Sequence, residues 1–161
     1  TDIENTEDAL RMIAEVGKLT GRASKAAEWI QKIRDQRAEA AKKLPLPAFR
    51  RCAYLIWQSP YMSVNQNTFI HDQLEFLHLE NVCAGKASRY PELSPEELRN
   101  ADPDLLLLSS EPYPFGEKHL GEFRRLLPRA KILLVDGEMF SWYGSRMLQA
   151  AAYFENLGAN L

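Results

Sequence analysis

The chain has 161 residues, 45% of them hydrophobic, which suits one domain of ordinary size with a substantial core. A net charge of −2, from 20 basic and 22 acidic residues, offers neither the basic surplus that nucleic acid selects nor an acidic tail. No apolar run approaches the roughly 20 residues that cross a bilayer; the longest, Leu105 to Leu108, has the length of a strand.

The chain opens TDIENTEDAL, without an initiator Met or a signal peptide, which predicts a processed or cut N-terminus. Residues 5–17 are expected to form a short helix capped by Asn5 or Thr6 and ended by Gly17. Residues 22–43 predict a long helix of about 33 Å. Its apolar stripe is thin (Ala26, Ile30 and Ile33, with Trp29 beside it), as in a solvated strut lying across another element. The LPLP at 44–47 stops it, which divides the chain into a helical segment over 1–47 and an α/β unit over 48–161.

From there strands and helices alternate. Strands are expected at 51–57, 103–109 and 131–136, apolar throughout. Helices are expected at 65–79, 94–101, 116–127 and 143–158, the second opened by Ser94 as cap, Pro95 and Glu97, and the last ended by Gly158. Apolar strands alternating with helices predict a parallel sheet covered on both faces. The fold class is therefore α/β: a three-layer sandwich with a mostly parallel sheet, preceded by the long helix. Cys52 and Cys83 are expected as buried free thiols, with a bridge in an oxidising compartment as the open alternative.

In such sheets ligands bind beyond the carboxyl ends of the strands. Three loops leave those ends, at 57–64, 110–116 and 136–144. They hold seven of the 16 aromatics: Trp57, Tyr61, Tyr113, Phe115, Phe140, Trp142 and Tyr143. An even spread would place two or three there, so the enrichment predicts an apolar mouth at one end of the sheet, the alternative being that these rings plug the core.

Glu111 and Glu138 lie in the same loops. They can act as an acid–base pair, bind the polar rim of a ligand, or cap helices. His71, His78 and His119 fall on predicted helices, and no His or Cys spacing supports a metal cage. Phosphate-binding and dinucleotide glycine motifs are absent from the sequence, and so is a nucleophile elbow; Ser109-Ser110 has no His placed to serve it. No cofactor, metal or catalytic residue is expected.

Three phrases carry a resemblance: W-x-S-P-Y-M-S-V after the first strand, ASRYPELSPEELRNADPDLLLLSSEPYPF, and KILLVDGEMFSWYGSR. Together they resemble the helical-backbone (class III) substrate-binding proteins of ABC importers, of the cobalamin and siderophore receptor type. The resemblance implies two α/β lobes joined by a bridging helix, with the ligand between them. This chain matches the bridging helix (22–43) and the carboxyl-terminal lobe, and the amino-terminal lobe is expected as a missing partner.

Carried over by position, the resemblance implies that Met62 stands where an aromatic faces the corrin ring and Tyr90 where a Trp faces the ligand. Glu138 stands where an Asp lines the cleft, and Trp142 where the cobalamin receptors carry an Arg. Glu96 matches a surface acid that docks on the permease; as a helix N-terminal acid it also needs no partner. The expected ligand contacts are thus Trp57, Tyr61, Met62, Tyr90, Glu111, Tyr113, Glu138, Phe140 and Trp142. The implied function is capture of a metal chelate (cobalamin, haem or a ferric siderophore) in the periplasm and delivery to an ABC permease in the membrane, without catalysis or nucleic acid. The competing readings are an enzyme using Glu111 and Glu138, and a protein-interaction module built on the aromatic loops.

Overall fold

The computed structural model describes residues 2–44 and 50–161. Helix α1 (Thr6–Leu19) starts where Asn5 accepts a hydrogen bond from the Asp8 amide. Gly17 does not end it. It lies inside the helix, where a Cβ would stand 2.4 Å from the Ala26 Cβ, so its bareness lets helix α2 (Ala23–Lys43) approach closely. The chain turns instead at Gly21, whose φ of +68° suits glycine.

The buried residues of α2, Ala26, Ile33 and Ala40, recur every seven positions, which is the thin stripe expected of a strut. It is clasped to the rest of the fold through Arg37. The guanidinium lies 4.0 Å over the Phe76 ring and donates to Gln73 at 2.6 Å. Asp72, 3.7 Å from Arg37, also accepts from the Thr6 hydroxyl at 2.6 Å, which ties in the start of α1. The predicted stop at 44–47 and the boundary it marks fall, beyond Leu44, outside the described residues.

The main sheet has the order β3-β1-β5-β6 and is parallel throughout, from β1 (Arg50–Leu55), β3 (Leu79–Asn81), β5 (Leu105–Ser109) and β6 (Lys131–Val135). Residues alternate between two cores. Cys52, Tyr54, Leu105 and Leu107 face one core, filled by Leu74 of α3 (Phe69–Phe76) and by Ala150 and Phe154 of α7 (Met147–Gly158). Ala53, Leu55, Leu106 and Leu108 face the other, filled by Leu98 of α4 (Pro95–Ala101) and by Leu120 and Phe123 of α5 (Glu117–Leu126). Every one of these strand residues is fully buried, so the all-apolar runs have their cause: both faces are covered. The α/β three-layer sandwich with a long preceding helix is the observed architecture.

Two elements depart from expectation. The predicted helix at 65–79 is shorter, and His78 in a left-handed turn (φ 58°) sends the chain into β3, a fourth strand. The predicted strand at 51–57 ends at Leu55, and the chain turns back to form β2 (Tyr61–Met62), paired antiparallel with β4 (Glu92–Leu93). Cys52 and Cys83 are both buried and free. Burial pushes both thiols up from their ordinary pKa, which keeps them protonated and unreactive.

Candidate functional site: an aromatic rim at the carboxyl edge of the sheet

The loop after β6 is partly helical. Asp136 caps a short helix, α6 (Gly137–Ser141), by accepting from the Glu138 amide at 3.0 Å, and its own amide donates to the Tyr153 hydroxyl. Gly137 sits so close to the preceding loop that a Cβ there would lie 2.4 Å from the Ser109 Oγ and 2.6 Å from the Glu111 Cγ. Its amide donates to the Ser110 Oγ at 2.9 Å. The loops after β5 and β6 are thus seated on one another.

That seating decides which rings face water. A helical turn has an inside, and Phe140 takes it: it is fully buried among Tyr54, Tyr153 and Phe154, with ring centroids 4.9–6.3 Å away. Phe140 is therefore a core residue and not a wall of the mouth. Trp142 and Tyr143 follow the end of α6 and stay outside, 52% and 45% exposed. Among the described residues the remaining exposed aromatics are Tyr90 (47%) and Trp57 (41%). Trp57 leaves β1 and stacks edge-on against Tyr113 at 5.6 Å. Tyr90 belongs to the stretch whose Arg89 and Pro91 carbonyls accept from the amides of Asn65 and Ser63, in the segment that follows β2. Of the seven rings expected at the mouth, Trp57, Trp142 and Tyr143 are exposed, while Tyr61, Phe115 and Phe140 are buried in the core; the fourth exposed ring, Tyr90, comes from outside those three loops.

The other expected contacts divide. Tyr61 turns away from the rim into the core beneath α5, where its hydroxyl donates to the Glu122 carboxylate. Burial and that carboxylate push its pKa up. It is not at the mouth, because β2–β4 pairing points it toward Phe123, with ring centroids 5.3 Å apart. Phe115 is likewise buried, packed on Tyr113, His119 and Phe123. Met62 is half-buried and lies against the core that α3 and α7 cover. Tyr113 is half-buried and supports Trp57 from below; its hydroxyl lies 3.3 Å from the His119 ring.

Glu111 and Glu138 line one depression of about 570 Å³ with Asp136 and Phe115. Both carboxylates are engaged. Glu111 accepts from the Ser141 hydroxyl at 2.8 Å and from the Trp142 indole at 2.6 Å. Glu138 pairs with Arg146, whose guanidinium lies 5.8 Å over the Trp142 ring. The two acids thus work as braces for Trp142, a role the sequence did not reveal because it depends on loops brought together by β5–β6 pairing. Ser109, buried, donates to the Glu111 carbonyl at 2.6 Å and accepts from the Tyr54 hydroxyl. Glu96 is exposed on α4, whose start is fixed by the reciprocal Ser94–Glu97 capping box. Among the described residues no cluster of His, Cys, Asp and Glu could hold a metal ion. Among the described residues no helix is long and apolar enough to cross a membrane.

No curated protein sequence matches the chain significantly. Solved structures do. The fold is similar to that of a possible iron-binding (periplasmic solute-binding) protein from Staphylococcus epidermidis, with a TM-score of 0.82 and 17% identity over 96% of this chain and 63% of that one. It is also similar to the periplasmic heme-binding protein of Roseiflexus, with a TM-score of 0.77 and 17% identity over 99% and 65% of the two chains. The vitamin B12 binding protein of Vibrio cholerae follows, with a TM-score of 0.73 and 15% identity over 98% and 64%. At such identities the likeness is one of fold, and the chain spans under two thirds of each structure. The sequence model of the periplasmic binding protein family matches residues 2–124, and with the lobe architecture described above this chain belongs to that family.

Proposed function

We propose that this chain is the ligand-gripping part of an ABC-importer substrate-binding protein. In this reading it holds a flat metal chelate between its aromatic rim and a second, amino-terminal lobe, in the periplasm, and delivers it to a membrane permease. The observation that carries the reading is the rim itself: Trp57, Tyr90, Trp142 and Tyr143 stand exposed around one edge of the sheet of a periplasmic binding protein. Exposed aromatic patches of this kind mark recognition surfaces, and rings supply contact area at little entropic cost. Structures with this fold include a possible iron-binding protein, a heme-binding protein and a vitamin B12 binding protein, which supports a chelate of that class.

The action is capture without catalysis. Glu111 and Glu138, the two carboxylates an enzyme would need free, are occupied in holding Trp142. Glu96, exposed on a rigidly capped helix, is the proposed contact to the permease. The clasp from Arg37 to Asp72 and Gln73 joins α2 firmly to this lobe, so closure on the ligand is small. The test is a fluorescence titration of the intact protein with haemin, cobalamin and a panel of ferric siderophores. Saturable quenching by one of them, weakened by Trp142→Ala, is the expected result; no response to any of them would refute the chelate reading.

A further inference from the structure

Beside the rim lies a second cavity, of about 290 Å³, whose wall includes Asp2, Phe69, Arg89, Tyr90 and Tyr143. Among the described residues its one cation is Arg89, and its partners are weak. The Arg89 Nε is buried and finds no acceptor among the described residues. Its Nη2 reaches the Ile3 carbonyl only at 3.4 Å, the far limit of a hydrogen bond. Its Nη1 lies 3.7 Å from Asp2, a carboxylate 87% exposed, and such a surface pair is worth little. Arg146, by contrast, is paired with the half-buried Glu138. The Arg89 side chain is 36% exposed, so its outer N–H groups remain open to a bound acceptor, which would gain a charge-assisted hydrogen bond.

We infer that the Arg89 cavity is an anion subsite that takes a carboxylate arm of the ligand while its flat body lies on the rim. The inference rests on the receptor reading for the flat body, and on Arg89 alone for the arm. The volume is below the about 300–1,000 Å³ of pockets that enclose a drug-sized molecule, but it is ample for a carboxylate on a short stem. A planar guanidinium matches a planar carboxylate through paired N–H donors. The adjoining phenols of Tyr90, with its ring 6.0 Å from the Arg89 carbon, and Tyr143 face the same space. The class of chelate follows: one bearing free carboxylates, such as a porphyrin with acid side chains or a carboxylate siderophore, in preference to a corrin whose acid arms are amides.

The test compares haemin with its dimethyl ester, which keeps the flat ring and removes both carboxylates, on the intact protein and on Arg89→Gln. Sodium citrate, a carboxylate without a ring, is titrated in parallel by following the Arg89 Nε–H and Tyr90 amide signals by NMR. The expected result is an acid-over-ester preference of about ten- to a hundredfold, the range of a hydrogen bond to a charged group, lost in Arg89→Gln while ester binding is unchanged. Equal affinity for acid and ester, or a preference that survives Arg89→Gln, overturns the subsite and leaves the receptor reading standing. If neither ring binds but citrate shifts the Arg89 signals saturably, the subsite stands and a flat tetrapyrrole is not the cargo. If neither the rings nor citrate bind, the subsite is overturned.

Discussion

Trp142 is held at the rim by a carboxylate, and this makes its role separable from that of its neighbour Phe140. The indole donates to Glu111, which also holds Ser141. Glu111→Ala is expected to free the ring and weaken chelate binding by about fivefold, near 1 kcal/mol for a charge-assisted bond discounted for the exposure of the indole. The unfolding midpoint should stay nearly unchanged, and titration beside thermal unfolding checks both. Phe140→Ala has the opposite signature. It empties a fully buried site among Tyr54, Tyr153 and Phe154 and is expected to cost about 3–5 kcal/mol in urea unfolding. A Phe140→Ala protein of undiminished stability would return that ring to the mouth. The sequence could not separate these two residues. Both are aromatics in one loop, and only the helical turn of α6, which has an inside and an outside, sorts them.

Elements set where those residues stand. The loops after β5 and β6 touch at Gly137, so Gly137→Ala is expected to push Glu111 aside and lower chelate affinity without touching an aromatic; unchanged affinity would show that the contact yields. Farther away, Gly17→Leu should wedge α1 from α2 and cost about 1–3 kcal/mol of stability, measured by urea unfolding, because the Ala26 methyl occupies the space a side chain would need. Helix α4 carries a pH signature. The Ser94 amide, with Lys86 nearby, holds the Glu97 carboxyl down at about 2, below the unfolded value of about 4.3. A depressed folded pKa means the contribution is full above the unfolded value and is lost as pH falls through the folded one. The stability difference between the wild type and Glu97→Gln should therefore persist from pH 7 to about 5 and fade toward pH 2; a difference constant over that range would contradict the capping box.

The elements that the sequence made legible are those with strong local signals. The caps at Asn5 and Ser94 and the all-apolar runs of β5 and β6 each declare one structure in their own residues. Helix α6 and strand β3 do not. Leu79–Asn81 becomes a strand because β1 offers it an open edge, which no local signal in its three residues announces. Pairing of Glu111 with Trp142, 31 positions apart, is likewise a product of sheet register.

At the scale of the whole molecule, the strut-like helix, the clasp and the sandwich act together to present one rim. Its position at the carboxyl edge of a parallel sheet is what the sheet's geometry prescribes for a ligand site. The residues that hold the rim in place lie behind it: Glu111, Tyr113, Glu138, Ser141 and Arg146. The central claim is that this rim grips a flat chelate, and its most direct test is a tryptophan-fluorescence titration of the intact protein and of Trp142→Ala with haemin. The claim predicts saturable quenching in the wild type and an affinity reduced about tenfold or more in the variant, as stacking on a buried-contact aromatic would give. Equal affinity in the two proteins, with both fully folded, would contradict it.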